Sequence, residues 1–261
     1  MAKIISLVNQ KGGVGKTTSS INLAAALGKL GKKTLLIDLD SQGNATTGLG
    51  VTNTQIVHDV YDLITRDITV NEAIIKTPFD NLDMIPSTIN LAGIDVEFVK
   101  KMLDDNTFRQ NEQLKNKLAE VRDYYDYIII DCQPSLGIST MNALVASDSV
   151  IIPVQCEYYA LEGITQLLVT IMMVQSDINP KLQIEGVLLT MLDGRTNIGL
   201  EVIEEIKSYF KNKVFNTIIP RLVRLVEAPS HGKPICYYDP ESRATEAYNN
   251  LAKEVIKRDG N

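Results

Sequence analysis

Residues 4–18 read IISLVNQKGGVGKTT, and the prediction of the fold starts from this segment. A short apolar strand leads into a turn with three glycines, which is followed by Lys16 and Thr17 at the start of a helical segment. The stretch matches the P-loop pattern G-x-x-x-x-G-K-[ST] except at the first glycine, where Gln10 stands. A strand, a glycine-rich turn and a helix in this order predict a loop that binds nucleotide phosphates.

This loop supplies the groups that a polyphosphate requires. Glycines let backbone N–H groups approach the phosphate oxygens closely, and the N-terminus of the next helix adds a partial positive charge. We expect the Lys16 ammonium to reach the β- and γ-phosphates and the Thr17 hydroxyl to bind a magnesium ion that bridges them. The loop residues expected to contact the nucleotide are Gly12, Gly13, Val14, Gly15, Lys16, Thr17 and Thr18.

Length and composition are those of an ordinary globular protein. The chain has 261 residues, of which 44% are hydrophobic and 22% charged, enough for one large core. We expect a single domain over residues 1–261. No apolar run approaches the roughly 20 residues that span a bilayer, and the opening MAKIISLVNQ lacks a secretory pattern, so we expect a cytoplasmic protein.

Cysteine spacing and charge argue against several kinds of site. Cys132, Cys156 and Cys236 are far apart and form no CxxC pair, which argues against a disulfide framework or a metal centre. A net charge of −6 argues against nucleic-acid binding over the whole surface. Residues 195–261 nevertheless hold eleven Lys and Arg against nine Asp and Glu, which leaves room for a basic patch in this part.

Two carboxylates follow the second apolar strand, residues 34–37. Asp38 and Asp40 would lie at the carboxyl edge of a parallel strand, where ligands bind in open α/β sheets. Asp38 taken alone is typical of a turn cap. Beside a P-loop, the pair is expected to hold magnesium-bound water and to orient the attacking water, and Asp40 is a candidate for both catalysis and metal binding.

A third carboxylate ends the run YIIID, residues 127–131. Continuous apolar runs of this kind are typical of parallel strands that are buried on both faces. Asp131 at the end of the strand is expected to bind the magnesium ion directly or through water, and the alternative is a simple cap.

Strands and helices alternate along the whole chain. This alternation predicts an α/β fold with a doubly wound, mainly parallel sheet and helices on both faces. Further strands are predicted over residues 81–85, 148–154, 184–191 and 214–218, and helices over residues 17–30, 57–65, 70–75, 91–103, 108–121, 160–175 and 200–209.

The loop sequence KGGVGKT resembles the deviant Walker A motif of the ParA/MinD family of ATPases. In that family the early lysine, here Lys11, reaches across a dimer interface to the phosphates of the partner's nucleotide. The resemblance therefore implies a P-loop ATPase whose catalytic residues, Lys11, Lys16 and Asp40, come from two chains. It implies ATP and Mg²⁺ as cofactors.

Three further segments extend the resemblance. DLDSQGN is similar to the family's switch I motif with Ser41 in place of proline, and DCQPSLG to its switch II motif with Gln133 in place of proline. Residues 218–234, IIPRLVRLVEAPSHGKP, resemble the C-terminal signature of chromosomal ParA/Soj proteins, with Leu222 and Val226 replacing polar residues.

The resemblance also assigns a base-binding region and a DNA surface. In relatives the turn after the Pro-Arg packs on adenine, which implies Met191, Pro220, Arg221 and Leu222 in the nucleotide site. Arg195 and Arg224 match positions that relatives use to bind DNA without sequence preference, and arginine forks suit phosphates. Each arginine taken alone is as well explained by a surface ion pair.

The implied protein is a partition ATPase. Two chains would sandwich ATP, the homodimer would coat nucleoid DNA nonspecifically, and a ParB-type centromere-binding protein would stimulate hydrolysis and release it. No membrane role is expected. The chain begins at its first strand, so we expect no N-terminal helix-turn-helix.

Two alternatives stay open. A MinD-like membrane-associated ATPase shares the nucleotide site but needs a C-terminal amphipathic helix, for which NNLAKEVIKRDGN has little apolar surface. A P-loop metabolic enzyme, such as an amidoligase, would need a separate substrate pocket.

Overall fold

A computed structural model describes residues 1–157, 164–192 and 197–260, with the backbone alone for residues 197–201. The described residues form a sheet of eight strands and twelve α-helices. The strands are β1 (Lys3–Leu7), β2 (Thr34–Leu39), β3 (Ile75–Lys76), β4 (Leu82–Ile85), β5 (Tyr127–Cys132), β6 (Ser149–Gln155), β7 (Gln183–Leu192) and β8 (Val214–Pro220). The helices are α1 (Lys16–Lys29), α2 (Asn44–Gly48), α3 (Val60–Thr65), α4 (Val70–Ala73), α5 (Ile94–Asp104), α6 (Gln113–Leu118), α7 (Ile138–Ala146), α8 (Ile164–Asp177), α9 (Asn197–Phe210), α10 (Val223–Ser230), α11 (Ile235–Tyr238) and α12 (Arg243–Arg258).

The sheet confirms the predicted fold class. Its strand order is β3-β4-β2-β5-β1-β6-β7-β8, and every pair is parallel except β3 with β4. The strand β1 lies between β5 and β6, so the chain leaves it toward one side of the sheet and later returns on the other. Such a switch point opens a crevice at the carboxyl edge, directly above β1.

Helices cover both faces of the sheet. One apolar core lies under α3 to α9, and the other lies under α1, α2 and α10 to α12. The central strands between the two layers are almost entirely buried, and all six residues of β2 and of β5 lie inside. This burial on both sides explains why the strands read as continuous apolar runs.

The structure corrects several predicted bounds. The helix predicted over residues 70–75 ends at Ala73, and Ile75–Lys76 instead pairs as an edge strand with β4. Of the helix predicted over residues 108–121, Gln113–Leu118 is helical. Before it, the Asp105 carboxylate accepts from the N–H and hydroxyl of Thr107, which favours a turn over a helix.

Three helices close the C-terminal part, for which the sequence reading named no element. The longest, α12, is capped by the preceding Ser242, whose hydroxyl accepts from the N–H of Thr245 at 3.2 Å. Its apolar side packs on α1, and Leu251 and Val255 are fully buried. Among the described residues we find no helix with the length and apolarity to cross a bilayer.

Candidate nucleotide-binding site

The loops after β1, β2 and β5 and the end of β7 converge at the carboxyl edge of the sheet. They surround a cavity of about 690 Å³. The four segments that carry the family resemblance all contribute to its lining, and so does β7. The lining residues include Gly12, Gly13, Gly15, Lys16, Thr17, Thr18, Asp40, Gln133, Met191 and Pro229. The structure therefore brings most of the predicted nucleotide and metal residues to one place.

The glycine-rich loop has the conformation that its sequence predicts. Gly13 and Gly15 have φ values of 75° and 83°, in the left-handed region that favours glycine, and Gly15 is the residue before α1. The Thr190 hydroxyl on β7 donates to the carbonyl of Val14 at 2.9 Å, so a neighbouring strand fixes the loop. The Val14 side chain is buried and does not line the cavity.

Lys16 lies inside the loop rather than on its surface. Lys16 is 6% exposed, and its Nζ donates to the carbonyl of Lys11 at 3.0 Å. Burial lowers the pKa of Lys16, and the nearby Asp131 carboxylate offsets part of that effect. A cation held against the loop backbone in this way is placed for phosphates that bind the same loop.

Lys11 behaves differently from Lys16. Its backbone N–H donates to Oδ1 of Asn9 at 2.9 Å, while its Nζ lies 3.8 Å from the carboxylate of Glu157, two residues after β6. The Lys11 side chain is 42% exposed and does not line the cavity of its own chain. The side chain of Lys16 therefore lies against the loop backbone, whereas the side chain of Lys11 lies beside Glu157.

Asp131 is fully buried beneath the cavity and has one unsatisfied oxygen. Its Oδ1 accepts from the Ser20 hydroxyl at 2.9 Å, and the Thr17 hydroxyl is near enough to lower the pKa of this carboxylate. Its Oδ2 has no hydrogen-bond partner among the described residues. Burial and the charge of Asp38 on the neighbouring strand raise the pKa of Asp131. A buried, unpaired carboxylate oxygen near a threonine hydroxyl fits a magnesium site.

The structure separates the roles of Asp38 and Asp40. Asp38 is fully buried, and its carboxylate accepts from the N–H of Asp40 and from the N–H and hydroxyl of Thr46 in α2. This favours the capping interpretation for Asp38. Asp40 lines the cavity in the loop 40–43, here called the switch I loop, with Oδ1 accepting from the N–H of Gln42 at 3.0 Å.

A second cavity of about 590 Å³ adjoins the first one. It lies beyond the carboxyl ends of β7 and β8 and shares Gly13, Gly15, Thr18 and Met191 with the phosphate side. The predicted base-contacting residues all line it, namely Met191, Pro220, Arg221 and Leu222. Its mainly apolar walls suit a purine ring beside a phosphate-binding loop.

The two predicted DNA-binding arginines have different outcomes. Arg195 lies outside the described residues. Arg224 is 58% exposed on α10, but its guanidinium lies 3.3 Å from the Glu227 carboxylate and 3.6 Å from that of Asp239. Arg224 is therefore a paired surface cation in the isolated chain.

Several residues that support the site were missed in the sequence. Asn9, which is 3% exposed, accepts from Lys11 and donates to the carbonyl of Pro153 at 2.7 Å. Ser20 orients Asp131, and Tyr248 of α12 shares a hydrogen bond with Ser19 of α1. A polar residue directly after an apolar strand was the available signal for Asn9, whereas nothing local marks Tyr248.

Comparisons with known proteins agree with this geometry. A family model described as an AAA domain matches residues 2–184. The sporulation initiation inhibitor protein Soj of Bacillus subtilis (strain 168) is 58% identical over 255 residues, 98% of each chain. The chromosome partitioning protein ParA of Myxococcus xanthus (strain DK1622) is 50% identical over 259 residues, 99% of this chain and 89% of its own.

A solved structure with a bound nucleotide analog shares the fold. The cobyrinic acid a,c-diamide synthase of Mycobacterium smegmatis, with bound ATP analog and magnesium, superposes with a TM-score of 0.86 at 32% identity. The match covers 98% of this chain and 95% of that one. Taken with the four motifs and the cavity that they form, these similarities show that the chain belongs to the Soj/ParA family of chromosome-partitioning ATPases.

Proposed function

We propose that this chain is an ATP-dependent dimerising switch that drives chromosome or plasmid segregation. The observation that carries the proposal is the unequal placement of two lysines in one loop. Lys16 is buried against the loop backbone, whereas Lys11 is partly exposed and outside its own nucleotide cavity. A lysine that does not serve its own nucleotide is available to that of a second chain.

Within one chain, the loop would hold ATP and magnesium. Thr17 and Asp131 would hold the ion, which supplies charge neutralisation for the β- and γ-phosphates. The Asp131 oxygen without a partner supports this assignment. Asp40, with one side open to the cavity, would orient the attacking water.

The dimer would place Lys11 of each chain on the phosphates of the other. Hydrolysis would then remove the γ-phosphate that both lysines share, and the two chains would separate. The switch I loop and Gln133 line the same cavity and would respond to the loss of this phosphate.

The finer steps of the cycle rest on the family. The ATP dimer would bind nucleoid DNA nonspecifically through Arg195 and Arg224, and a ParB-type partner would stimulate hydrolysis. Arg224 would exchange Glu227 and Asp239 for DNA phosphates, which makes binding strongly dependent on salt.

The two alternative functions fit the chain less well. A MinD-like membrane anchor would need free apolar side chains in the C-terminal helix, but Leu251 and Val255 of α12 are buried against the core. A metabolic enzyme would share the fold of the mycobacterial synthase, yet the identity to Soj is 58% against 32% for the synthase.

The test measures DNA binding and mass together. Purified chain is titrated with nonspecific duplex DNA in ATP, ADP or no nucleotide over a salt series, and its mass is measured by light scattering after gel filtration. We expect binding that requires ATP and decreases steeply with salt, and a stable ATP dimer for Asp40→Ala. Binding without ATP, or an Asp40→Ala variant that stays monomeric in ATP, would refute the proposal.

A further inference from the structure

Three polar side chains in the cavity of about 590 Å³ beyond β7 and β8, here called the base cavity, are already hydrogen-bonded. The Thr190 hydroxyl, on a residue that is 1% exposed, donates to the carbonyl of Val14 at 2.9 Å. The hydroxyls of Ser19 and Tyr248, which are 0% and 2% exposed, share a hydrogen bond of 3.2 Å. These groups therefore have little hydrogen-bonding capacity left for a base.

The α10 side of the base cavity is apolar. Leu222 and Val226 line it at positions where the C-terminal signature has polar residues, and Leu222, which precedes α10, makes no capping hydrogen bond with its side chain. Leucine and valine contact any purine by dispersion and do not distinguish the polar groups on its edge. Selection of the base by side chains is therefore left to Thr18, Gln155 and Arg221, the other polar residues of the lining.

Of these three residues, Gln155 has an orientation that its neighbour fixes. It is the last residue of β6, and its Nε2 donates to Oε1 of Glu157. The second oxygen of Glu157, Oε2, lies 3.8 Å from Nζ of Lys11. An ionised carboxylate only accepts hydrogen bonds, so the amide nitrogen of Gln155 faces Glu157 and the amide oxygen cannot take its place. The amide oxygen and the second N–H of Gln155 are left for the base cavity.

A fixed amide distinguishes purines that a free amide does not. Adenine presents a 6-amino donor beside the N1 acceptor, whereas hypoxanthine and guanine present a 6-oxo acceptor beside an N1–H donor. A free glutamine amide pairs with either edge, because half a turn about its last bond exchanges its donor and its acceptor. Beside a carboxylate this half turn would bring two oxygens together. The amide then keeps the one orientation and pairs with adenine, which is the base that glutamine amides contact through two hydrogen bonds.

We infer that Gln155 selects adenine and that Glu157 is a positioning residue that fixes the Gln155 amide. Gln155 would accept from the 6-amino group of adenine and donate to the adjacent ring nitrogen. The inference rests on the proposed nucleotide site, with the base in the base cavity, and does not depend on dimerisation or on DNA binding. It also gives Glu157 a role that is separate from its ion pair with Lys11.

Two diphosphates test these roles in the full-length protein. ADP and inosine diphosphate differ only in the 6-substituent and in the proton on N1, and both lack the γ-phosphate that the proposed dimer requires. Their binding with Mg²⁺ is measured by isothermal titration calorimetry. The variants are Gln155→Leu, which removes the amide, and Glu157→Gln, whose new amide both donates and accepts and so lets the Gln155 amide rotate. Leu222→Ala changes the apolar wall, and Val223→Ser changes a residue that is 71% exposed and outside the lining.

We expect the unmodified protein to bind ADP at least about tenfold more tightly than inosine diphosphate. Gln155→Leu should remove this preference, mainly by weakening ADP. Glu157→Gln should also reduce the preference, but by strengthening inosine diphosphate severalfold while ADP changes little, which a general loss of structure would not produce. Leu222→Ala should weaken both nucleotides by the same factor, and Val223→Ser should change neither.

Several results would overturn the inference. Equal or tighter binding of inosine diphosphate by the unmodified protein would mean that the Arg221 guanidinium, which only donates, reads the base instead. A preference for ADP that persists in Gln155→Leu or is unchanged in Glu157→Gln would also reject the assigned roles. If ATP-dependent dimerisation and DNA binding are present in these samples, only the inference fails. If neither diphosphate binds, the nucleotide site itself is wrong, and the proposed function fails with it.

Discussion

Replacing Asp131 with asparagine should stabilise the protein without nucleotide and weaken its response to Mg·ATP. In the wild type, the buried carboxylate has one oxygen without a partner and faces the charge of Asp38 on β2. Asparagine keeps the shape and an acceptor for Ser20 but removes the charge. The same substitution removes an oxygen that would hold magnesium. It should therefore raise the stability without nucleotide and lower the additional stabilisation by Mg·ATP.

The magnitude follows from the buried charge. A raised pKa costs the ionised folded state about 1.4 kcal/mol per pKa unit, and the unpaired N–H groups of asparagine offset part of the gain, so removing the charge should raise the free energy of unfolding by about 1–2 kcal/mol. For a chain of this size, each kcal/mol changes the melting temperature by about 2–4 °C. A ligand at 100 times its Kd stabilises by about 2.7 kcal/mol, and the variant should lose most of this gain.

The raised pKa of Asp131 also predicts how the stability difference between the variant and the wild type changes with pH. The folded state raises the pKa of Asp131 above the ordinary carboxyl value near 4, so it binds this proton more tightly than the unfolded state does. The resulting stability is complete below about pH 4 and is lost as the pH rises through the raised pKa. The melting temperature of Asp131→Asn should therefore exceed that of the wild type more at pH 8 than at pH 5.

The assay is differential scanning calorimetry in EDTA and in Mg·ATP at both pH values. Asp123→Asn is the control, because the Asp123 side chain is 78% exposed and its charge should matter little. A lower melting temperature for Asp131→Asn in EDTA at pH 8 would show that the buried charge is not destabilising. Equal stabilisation of both proteins by Mg·ATP would refute the role of Asp131 at the metal.

Three further predictions concern the loop and its neighbours. Lys16→Ala should abolish ATP binding in calorimetric titration, whereas Lys11→Ala should bind ATP and stay monomeric. Glu157→Gln should release Lys11 from its ion pair, which contributes up to about 1 kcal/mol in each chain because it is exposed. The ATP dimer should then form at a severalfold lower protein concentration, measured by sedimentation. A weaker dimer would mean that Glu157 acts across the interface. Gly232→Ala should melt several degrees below Gly31→Ala, since both have positive φ but a β-carbon meets backbone at 2.6 Å in the first and open space in the second; equal melting temperatures would contradict this.

The sequence predicted the parts of the site that depend on local chain order. A strand that ends in a glycine turn, and a carboxylate that ends a buried strand, are properties of short segments. The parallel sheet then brings these ends to one edge, which is why Lys16, Asp40 and Asp131 gathered as expected. The ion pair between Arg224 and Asp239 could not be predicted from a local segment, because Asp239 follows α11 and lies 15 residues away in the sequence.

Close contacts between distant backbone segments could not be predicted from the sequence, because each depends on how the whole chain folds. Gly50, after α2, packs on Gly232, after α10, so closely that a β-carbon on Gly232 would lie 2.6 Å from the Cα of Gly50. Gly232 belongs to the C-terminal signature and Gly50 to no quoted motif, and neither position shows in the sequence that it packs on the other. Because α2 follows the switch I loop and α10 carries Arg224, this contact joins the nucleotide side of the molecule to the proposed DNA side without a side chain between them. Any movement of α2 that accompanies hydrolysis must either carry the end of α10 with it or break a contact that has no room to slide.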